Sequence, residues 1–231
     1  ESVEREYTIR NIHRSVPVKL NYYIARAYRD QGLPPDTIQL TFRGTAGQSF
    51  GAFNHRGLSL TLIGDANDYA GKGMFGGRIA VIPSDIAEPR RQVIAGNTVL
   101  YGATGGAFYA AGRAGERFAV RNSGALAVIE GTGHHLCEYM TRGTVVVLGE
   151  VGYNVGAGMT GGVLYIPDDN GSLLRKINTS SVVMHDLVDD DVRTLRTMIE
   201  NHRTYTRSVR AAELLADVDE IPGRFKKILP I

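Results

Sequence analysis

The stretch Gly71-Lys72-Gly73-Met74-Phe75-Gly76-Gly77 decides how this chain is read. Its Gly71, Gly73 and Gly76 have the G-x-G-x-x-G spacing of a dinucleotide-binding turn, and Gly156, Gly158 and Gly161 repeat that spacing. Such a turn holds a pyrophosphate only where a strand enters and a helix leaves, because the helix N-terminus supplies the N–H groups. Neither copy is followed by a helical pattern. Arg78-Ile79-Ala80-Val81-Ile82-Pro83 follows the first and Val163-Leu164-Tyr165-Ile166-Pro167 the second, both short β-rich runs closed by proline. A Walker-type phosphate loop fails too, because Gly73 follows Lys72 where Ser or Thr is required. The glycines are therefore read as corners of the chain path.

Periodicity supports that reading. Leu58, Gly77, Gly106, Gly124, Gly143 and Gly162 each precede a β-rich run, at spacings of 19, 29, 18, 19 and 19 residues. The long interval contains Pro83 to Gln92, a polar, proline-punctuated stretch that reads as one loop insertion. Two places after each marker stand Leu60, Ile79, Phe108, Leu126, Val145 and Leu164. Four places after stand Leu62, Val81, Ala110, Val128, Val147 and Ile166, so both columns are wholly apolar. One alternating strand per repeat at constant phase predicts an all-β solenoid, a right-handed parallel β-helix of about seven coils, with Leu40 and Phe42 in a further coil upstream. A sandwich would need hairpin turns at shorter intervals. The corner glycines are Gly57, Gly76, Gly77, Gly105, Gly106, Gly124, Gly143, Gly161 and Gly162, where a side chain would meet the neighbouring coil.

The flanks carry helical patterns. Ser15 is read as the N-cap of an amphipathic helix with Pro17 in its first turn, Val16, Leu20, Tyr23, Ile24 and Ala27 on one face, and a stop at Gly32. Val192, Leu195, Met198, Ile199 and His202 mark a second helix behind three aspartates, and Ser208 caps a third. Helices at the ends would cover exposed strand edges. The organisation expected is an N-terminal segment at 1–36, the β-helix at 37–167 and a C-terminal segment at 168–231, whose basic-apolar tail Gly223–Ile231 looks as though it continues onto something.

Composition narrows the function. Of 231 residues, 43% are hydrophobic and 22% charged, and the net charge is +2, so no electrostatic footprint for nucleic acid is present. No apolar run reaches the roughly 18 residues of a membrane span, and the first ten residues lack a secretory h-region, so a cytoplasmic location without membrane contact is expected. The single cysteine, Cys137, fits a reducing compartment and cannot alone build a metal site; His134 and His135 beside it have no second ligand group elsewhere. Ser49 and His55 lack the oriented acid of a hydrolase. The third column, Thr61, Ala80, Tyr109, Ala127, Val146 and Tyr165, has no stacked carboxylates for a stand-alone solenoid enzyme. No catalytic, cofactor-binding or metal-binding residue is therefore assigned. Asn67, Asp68, Arg113, Glu116, Arg117, Arg121 and Asn122 lie at corners or outward positions and form a possible docking face, the alternative being solvated surface.

Five segments, Thr41–Asn54, Gly64–Ile79, Val93–Gly106, Ala110–Ala125 and Cys137–Gly149, resemble the C-terminal GXGXG-repeat domain of the glutamate synthase large (alpha) subunit. Phe75, His134 and Leu136 depart from its usual pattern. The resemblance implies a right-handed β-helix that is a non-catalytic scaffold, placing a glutaminase part against an FMN and iron–sulfur synthase part that forms glutamate from glutamine and 2-oxoglutarate. FMN and iron–sulfur clusters then belong to those partner domains or subunits. The chain begins with Glu1, not a nucleophilic cysteine, and one cysteine cannot ligate a cluster, which agrees with a part lacking the catalytic machinery. A related β-helix subunit of formylmethanofuran dehydrogenase is the alternative, matched less well by these segments.

Overall fold

Residues 2–84 and 92–231 are described in the computed structural model, so residues 85–91 of the proposed Pro83–Gln92 insertion lie outside the described residues. Parallel pairing begins with β1 (Val3–Ile9) on β2 (Ile38–Ala46), which pairs with β3 (Leu58–Ala66). It continues through β4 (Phe75–Ile82), β6 (Gly105–Ala114), β7 (Ser123–Gly131), β8 (Arg142–Val147) and β9 (Val163–Pro167). The short β5 (Val93–Ala95) pairs β3 and β6 off this path. At the far end β11 (Phe225–Pro230) inserts antiparallel between β9 and β10 (Val182–His185). Among the described residues the result is one mixed sheet of eleven strands.

This arrangement corrects the expected all-β, right-handed parallel β-helix of about seven coils. Each repeat contributes one long strand to a single mixed sheet, the remainder of the repeat is turn, and the parallel series ends where β11 runs antiparallel. Helices then cover one face of the sheet, giving an α/β-type arrangement. Within the Gly223–Ile231 tail, Phe225–Pro230 form that inserted strand.

Two clusters of buried residues show what the strand alternation faces. On one face Leu60, Ile79, Phe108, Ala127, Val145 and Leu164 are in register, and beside them Leu62, Val81, Ala110, Ile129 and Val147, all in the main core. The expected columns slip by one residue in β7: Leu126 is 42% exposed, and Ala127 takes its place. A register irregularity between Ser123 and Leu126 absorbs the offset, and one residue of slip exchanges faces. Val128 consequently joins Tyr109, Val146 and Tyr165 on the opposite face. There they pack against Leu195, Met198 and Ile199 of α2 (Asp189–Thr206) and Ala211 and Leu214 of α3 (Val209–Ala216).

The flanking helices form where their patterns place them, with altered ends. α1 (Val18–Tyr28) buries Ile24 and Asn21, but Tyr23 is exposed, and Ser15 makes no side-chain cap because Pro17 stands at the N-cap. The helix proper stops at Tyr28, and a 3₁₀ turn at Arg29–Gln31 carries the chain to Gly32. Ser208 does cap α3, its Oγ accepting the Ala211 N–H at 3.0 Å. α4 (Ile221–Arg224) is a single turn leading into β11.

The segments between strands explain the glycine spacing. Among the described residues six turns each place three alternate residues in the left-handed region, with φ between 54° and 72°. The triplets are Ser49, Gly51, Phe53; Tyr69, Gly71, Gly73; Thr98, Leu100, Gly102; Arg117, Ala119, Arg121; His135, Cys137, Tyr139; and Asn154, Gly156, Gly158. Four of them close two tight turns in succession, as with the Lys72 N–H on the Tyr69 carbonyl (3.1 Å) and the Met74 N–H on the Gly71 carbonyl (3.0 Å), while the Thr98 and Asn154 triplets close the second turn, through Ala103 N–H on Leu100 and Met159 N–H on Gly156. The turns also hydrogen-bond to one another. Tyr69 and Gly73 N–H donate forward to the Asn97 and Tyr101 carbonyls (2.9 and 2.8 Å), while Gly71 N–H donates backward to Phe50 (2.8 Å). Gly71 and Gly73 are thus alternate left-handed positions. Gly76 answers a different need, because a Cβ there would strike the backbone of Arg56.

Thr98→Gly should therefore stabilise the chain. It removes a left-handed β-branched residue, worth about 1–2 kcal/mol, against about 0.5–1 kcal/mol of glycine entropy. Thermal melting should rise by roughly 1–3 °C. Gly143, at φ 101°, sits against the Ala125 carbonyl, so Gly143→Val should cost at least about 1–3 kcal/mol in the same assay. A neutral Gly143→Val would remove the close-approach argument.

Candidate functional site

Side chains at the turns form a ladder. The Asn97 N–H donates to Asp68 Oδ1 (2.8 Å) and the Glu116 N–H to Asn97 Oδ1 (2.8 Å). The His134 N–H donates to Glu116 Oε2 (2.5 Å) and the Tyr153 N–H to His134 Nδ1 (2.8 Å). Each side chain accepts from the backbone one turn ahead, satisfying donors that the turns leave over. Asn67 adds a side-chain bond to Asn11 Oδ1 at 2.8 Å. Asn67, Asp68 and Glu116 of the expected docking set are thus committed to bonds within the chain.

The remaining members separate. Asn122 is fully buried; its Nδ2 donates to the Ala125 carbonyl (3.0 Å) and its Oδ1 accepts the Ala125 N–H (2.9 Å), clamping the entry to β7. Asn54 holds the corner before β3 through its Nδ2 alone, which donates to the Leu58 and Gly76 carbonyls, both at 3.1 Å. Arg113 turns to Glu150, 3.4 Å away, and to the Thr132 carbonyl. Arg117 and Arg121 stay outward: Arg117 lies 3.9 Å from Glu138, and the Arg121 guanidinium stands 5.7 Å from the centre of the Tyr139 ring. The same rim exposes Phe53, Tyr69, Tyr101, Tyr139 and Tyr153, with the Lys72 ammonium 5.5 Å from the Tyr69 ring centre.

The expected corner glycines divide by role. Gly57, Gly77, Gly106, Gly143 and Gly162 have positive φ. Gly76, Gly105, Gly124 and Gly161 do not, and are held by the approach of backbone from Arg56, Phe75, Thr104 and Thr141 respectively. Cys137 is buried in the core with its thiol pKa pushed up by burial, and no group of three or more His, Cys, Asp or Glu among the described residues could hold a metal.

Two cavities and a buried polar cluster were not legible in the sequence. The larger cavity, about 670 Å³, lies beneath α2 and includes Asp36, Ser59, Arg78, Tyr109 and Tyr205. Ser59 Oγ donates to Asp36 Oδ1 at 2.6 Å and Arg78 Nη2 at 2.7 Å, and the Arg78 guanidinium lies 4.0 Å from the Tyr205 ring centre. The Ser59 hydrogen bond, more than the Arg78 charge, holds the Asp36 carboxyl below its usual range, against an opposing effect of burial. Burial lifts Tyr109 to about 12, so its phenol stays protonated at neutral pH.

The second cavity, about 490 Å³, is lined by Arg113, Glu130, Glu150, Asp168, Lys176 and Arg210, among others. Glu130 is its buried wall. Ser208 Oγ donates to Glu130 Oε1, and His202 Nε2 lies 3.4 Å from the same oxygen, so β7, α2 and the cap of α3 meet there. The sequence trace of this cluster is an acid directly after the apolar run Ala125–Ile129, with a helix-face histidine 72 residues later. A parallel anchor ties α2 to the sheet: Tyr165 Oη (2.7 Å) and Lys227 Nζ (2.8 Å) both bond Asp191 Oδ1.

This turn-rich sheet defines a class of protein that comparison identifies directly. The chain belongs to the GXGXG motif family, which matches residues 1–231. It is 48% identical over 98% of its length to ferredoxin-dependent glutamate synthase 2 of Synechocystis sp.. It is 46% identical over 96% to the glutamate synthase [NADPH] large chain of Bacillus subtilis, and 46% over 97% to glutamate synthase [NADH] of Schizosaccharomyces pombe. The chain spans only 15%, 15% and 11% of the lengths of those relatives. No helix among the described residues is long and apolar enough to cross a membrane.

The anchors predict acid behaviour. Burial would raise Asp191, but bonds from Lys227, Tyr165 and the Val188 N–H outweigh it and hold the carboxyl below its ordinary range. A carboxyl with a lowered folded-state pKa adds stability above its unfolded value, near 3.9, and that stability is lost as pH falls through the folded value. Thermal melting followed between pH 7 and 2 should therefore show a steep acid limb beginning at about pH 4. Asp191→Asn should lower stability at neutral pH and flatten that limb; an unchanged limb would remove Asp191 as a contributor.

Proposed function

We propose that this chain is a non-catalytic scaffold domain of a glutamate synthase, positioning a glutaminase part and an FMN and iron–sulfur synthase part for glutamate formation from glutamine and 2-oxoglutarate. One observation carries the reading: the chain matches glutamate synthases almost end to end, yet that match covers only 15% of the Bacillus subtilis large chain. The residues present do not fit an iron–sulfur cluster, which needs several thiolates, because the one cysteine is buried in the core. Cluster chemistry is accordingly assigned in this proposal to other segments, and the flavin is placed with it.

The rim of the turns is the proposed docking face. Exposed tyrosines and arginines are the residue types that anchor protein interfaces, and here Tyr69, Tyr101, Tyr139, Arg117 and Arg121 share one side of the sheet's turns. The opposite strand face is already covered by α2 and α3. The partner on the rim is the remainder of a glutamate synthase large chain.

Co-expression of this chain with a large chain lacking the matched region tests the proposal. The two should co-purify, and Arg117→Glu with Arg121→Glu should weaken that association about tenfold or more at moderate salt. The isolated double variant should melt within about 0.5 kcal/mol of the parent, since both residues are surface positions. Failure to associate would overturn the scaffold reading; association untouched by the two reversals would place the interface elsewhere.

A further inference from the structure

The cavity beside Glu130 has a feature that neither the fold nor a docking role accounts for. The Glu130 side chain is only 2% exposed, and both of its hydrogen-bond partners, Ser208 and His202, use Oε1. Oε2 accepts no side-chain hydrogen bond among the described residues and is not one of the buried unpartnered atoms, so it is open to the cavity that Glu130 lines. A carboxylate oxygen that opens onto a cavity from an otherwise buried side chain is a ready acceptor for a cation carrying N–H bonds.

The rest of the lining supplies the opposite charge. Arg113, Lys176 and Arg210 stand among Glu150, Asp168 and Asp169. Asp169 is already taken by a two-pronged pair with Arg224, at 2.9 and 3.0 Å. Arg113 spends part of its fork on Glu150 and the Thr132 carbonyl. Asp168 Oδ1 accepts the Leu173 N–H at 3.0 Å. Lys176 makes no ion pair among the described residues, so its ammonium is free to meet an anion.

We propose that this cavity binds a free α-amino acid, its ammonium on Glu130 Oε2 and its carboxylate toward Lys176 and Arg113. The volume, about 490 Å³, is within the range of small-ligand sites, and a lining that holds both a buried acid and a lysine without an ion pair suits a zwitterion better than either charge alone. Four acids against three bases line it, so a neutral side chain is favoured over an acidic one. Occupancy would bear on the helical cover, since Glu130 also joins β7 to α2 and α3 through His202 and Ser208.

Titration calorimetry of the 231-residue chain with L-glutamine tests this, with acetate and methylammonium as the two half-ligands. L-glutamine should bind, and each half-ligand should bind at least about tenfold more weakly. Lys176→Met, on the cavity rim, should keep the parent melting temperature and weaken L-glutamine about tenfold, and Glu130→Gln should weaken it further. Absence of heat with L-glutamine, equal binding of methylammonium alone, or binding unaffected by Lys176→Met would each overturn the site. Because no partner segment is involved, these outcomes are distinct from those of the docking experiment.

Discussion

The structure depends on hydrogen bonding between successive turns. Backbone groups in a turn normally spend themselves on water, but here the outer left-handed residues donate to the following turn and the middle one to the preceding turn. A chain that bonds in both directions at its turns fixes the distance at which each strand must begin, and parallel strands then follow in register. The cost is borne by non-glycine residues such as Leu100, Ala119 and Cys137, all in the left-handed region and all buried. Their side chains fill the core, and that burial offsets a conformation disfavoured by about 1–2 kcal/mol each.

Register decides which side chains meet. Phe108, Val145 and Leu164 face the main core because their strands start in phase, while Tyr109, Val146 and Tyr165 are sent to the other face. That second face would be exposed without α2 and α3, and polar anchors determine where those helices lie. Asp191 receives Tyr165 and Lys227 at one end of α2, and His202 approaches Glu130 nearer the other. Buried polar contacts of this kind fix position more than they add stability, because alternatives leave a charge without a partner.

The division of surfaces bears on assembly. One face of the sheet is sealed by the chain's own helices, while the turn rim presents tyrosines and arginines over a ladder of internally bonded Asp68, Asn97, Glu116 and His134. A rim stiffened by its own side chains loses little freedom on docking, which suits a part whose proposed task is placement within a much longer glutamate synthase chain.

Much of the path was written in the sequence. The spacing of Gly77, Gly106, Gly143 and Gly162, the apolar columns of β3, β4, β6, β8 and β9, the Ser208 cap and the amphipathic pattern of α2 are local signals, and local signals survive without knowledge of the partner strand. The chain's kinship was equally legible, since long segments carry it. What tertiary structure alone decided depends on groups brought together from far apart. The one-residue slip that exposes Leu126 is set by pairing on both sides of β7, and the antiparallel entry of β11 by its two neighbours. The joining of Glu130 to His202 and Ser208 is set by a helix arriving more than seventy residues later. Asn122 reads as a surface residue from its neighbours and is buried, because the Ala125 backbone it clamps turns back over it. Periodicity reports what each residue prefers along the chain; only packing determines which preferences are met and by which partner.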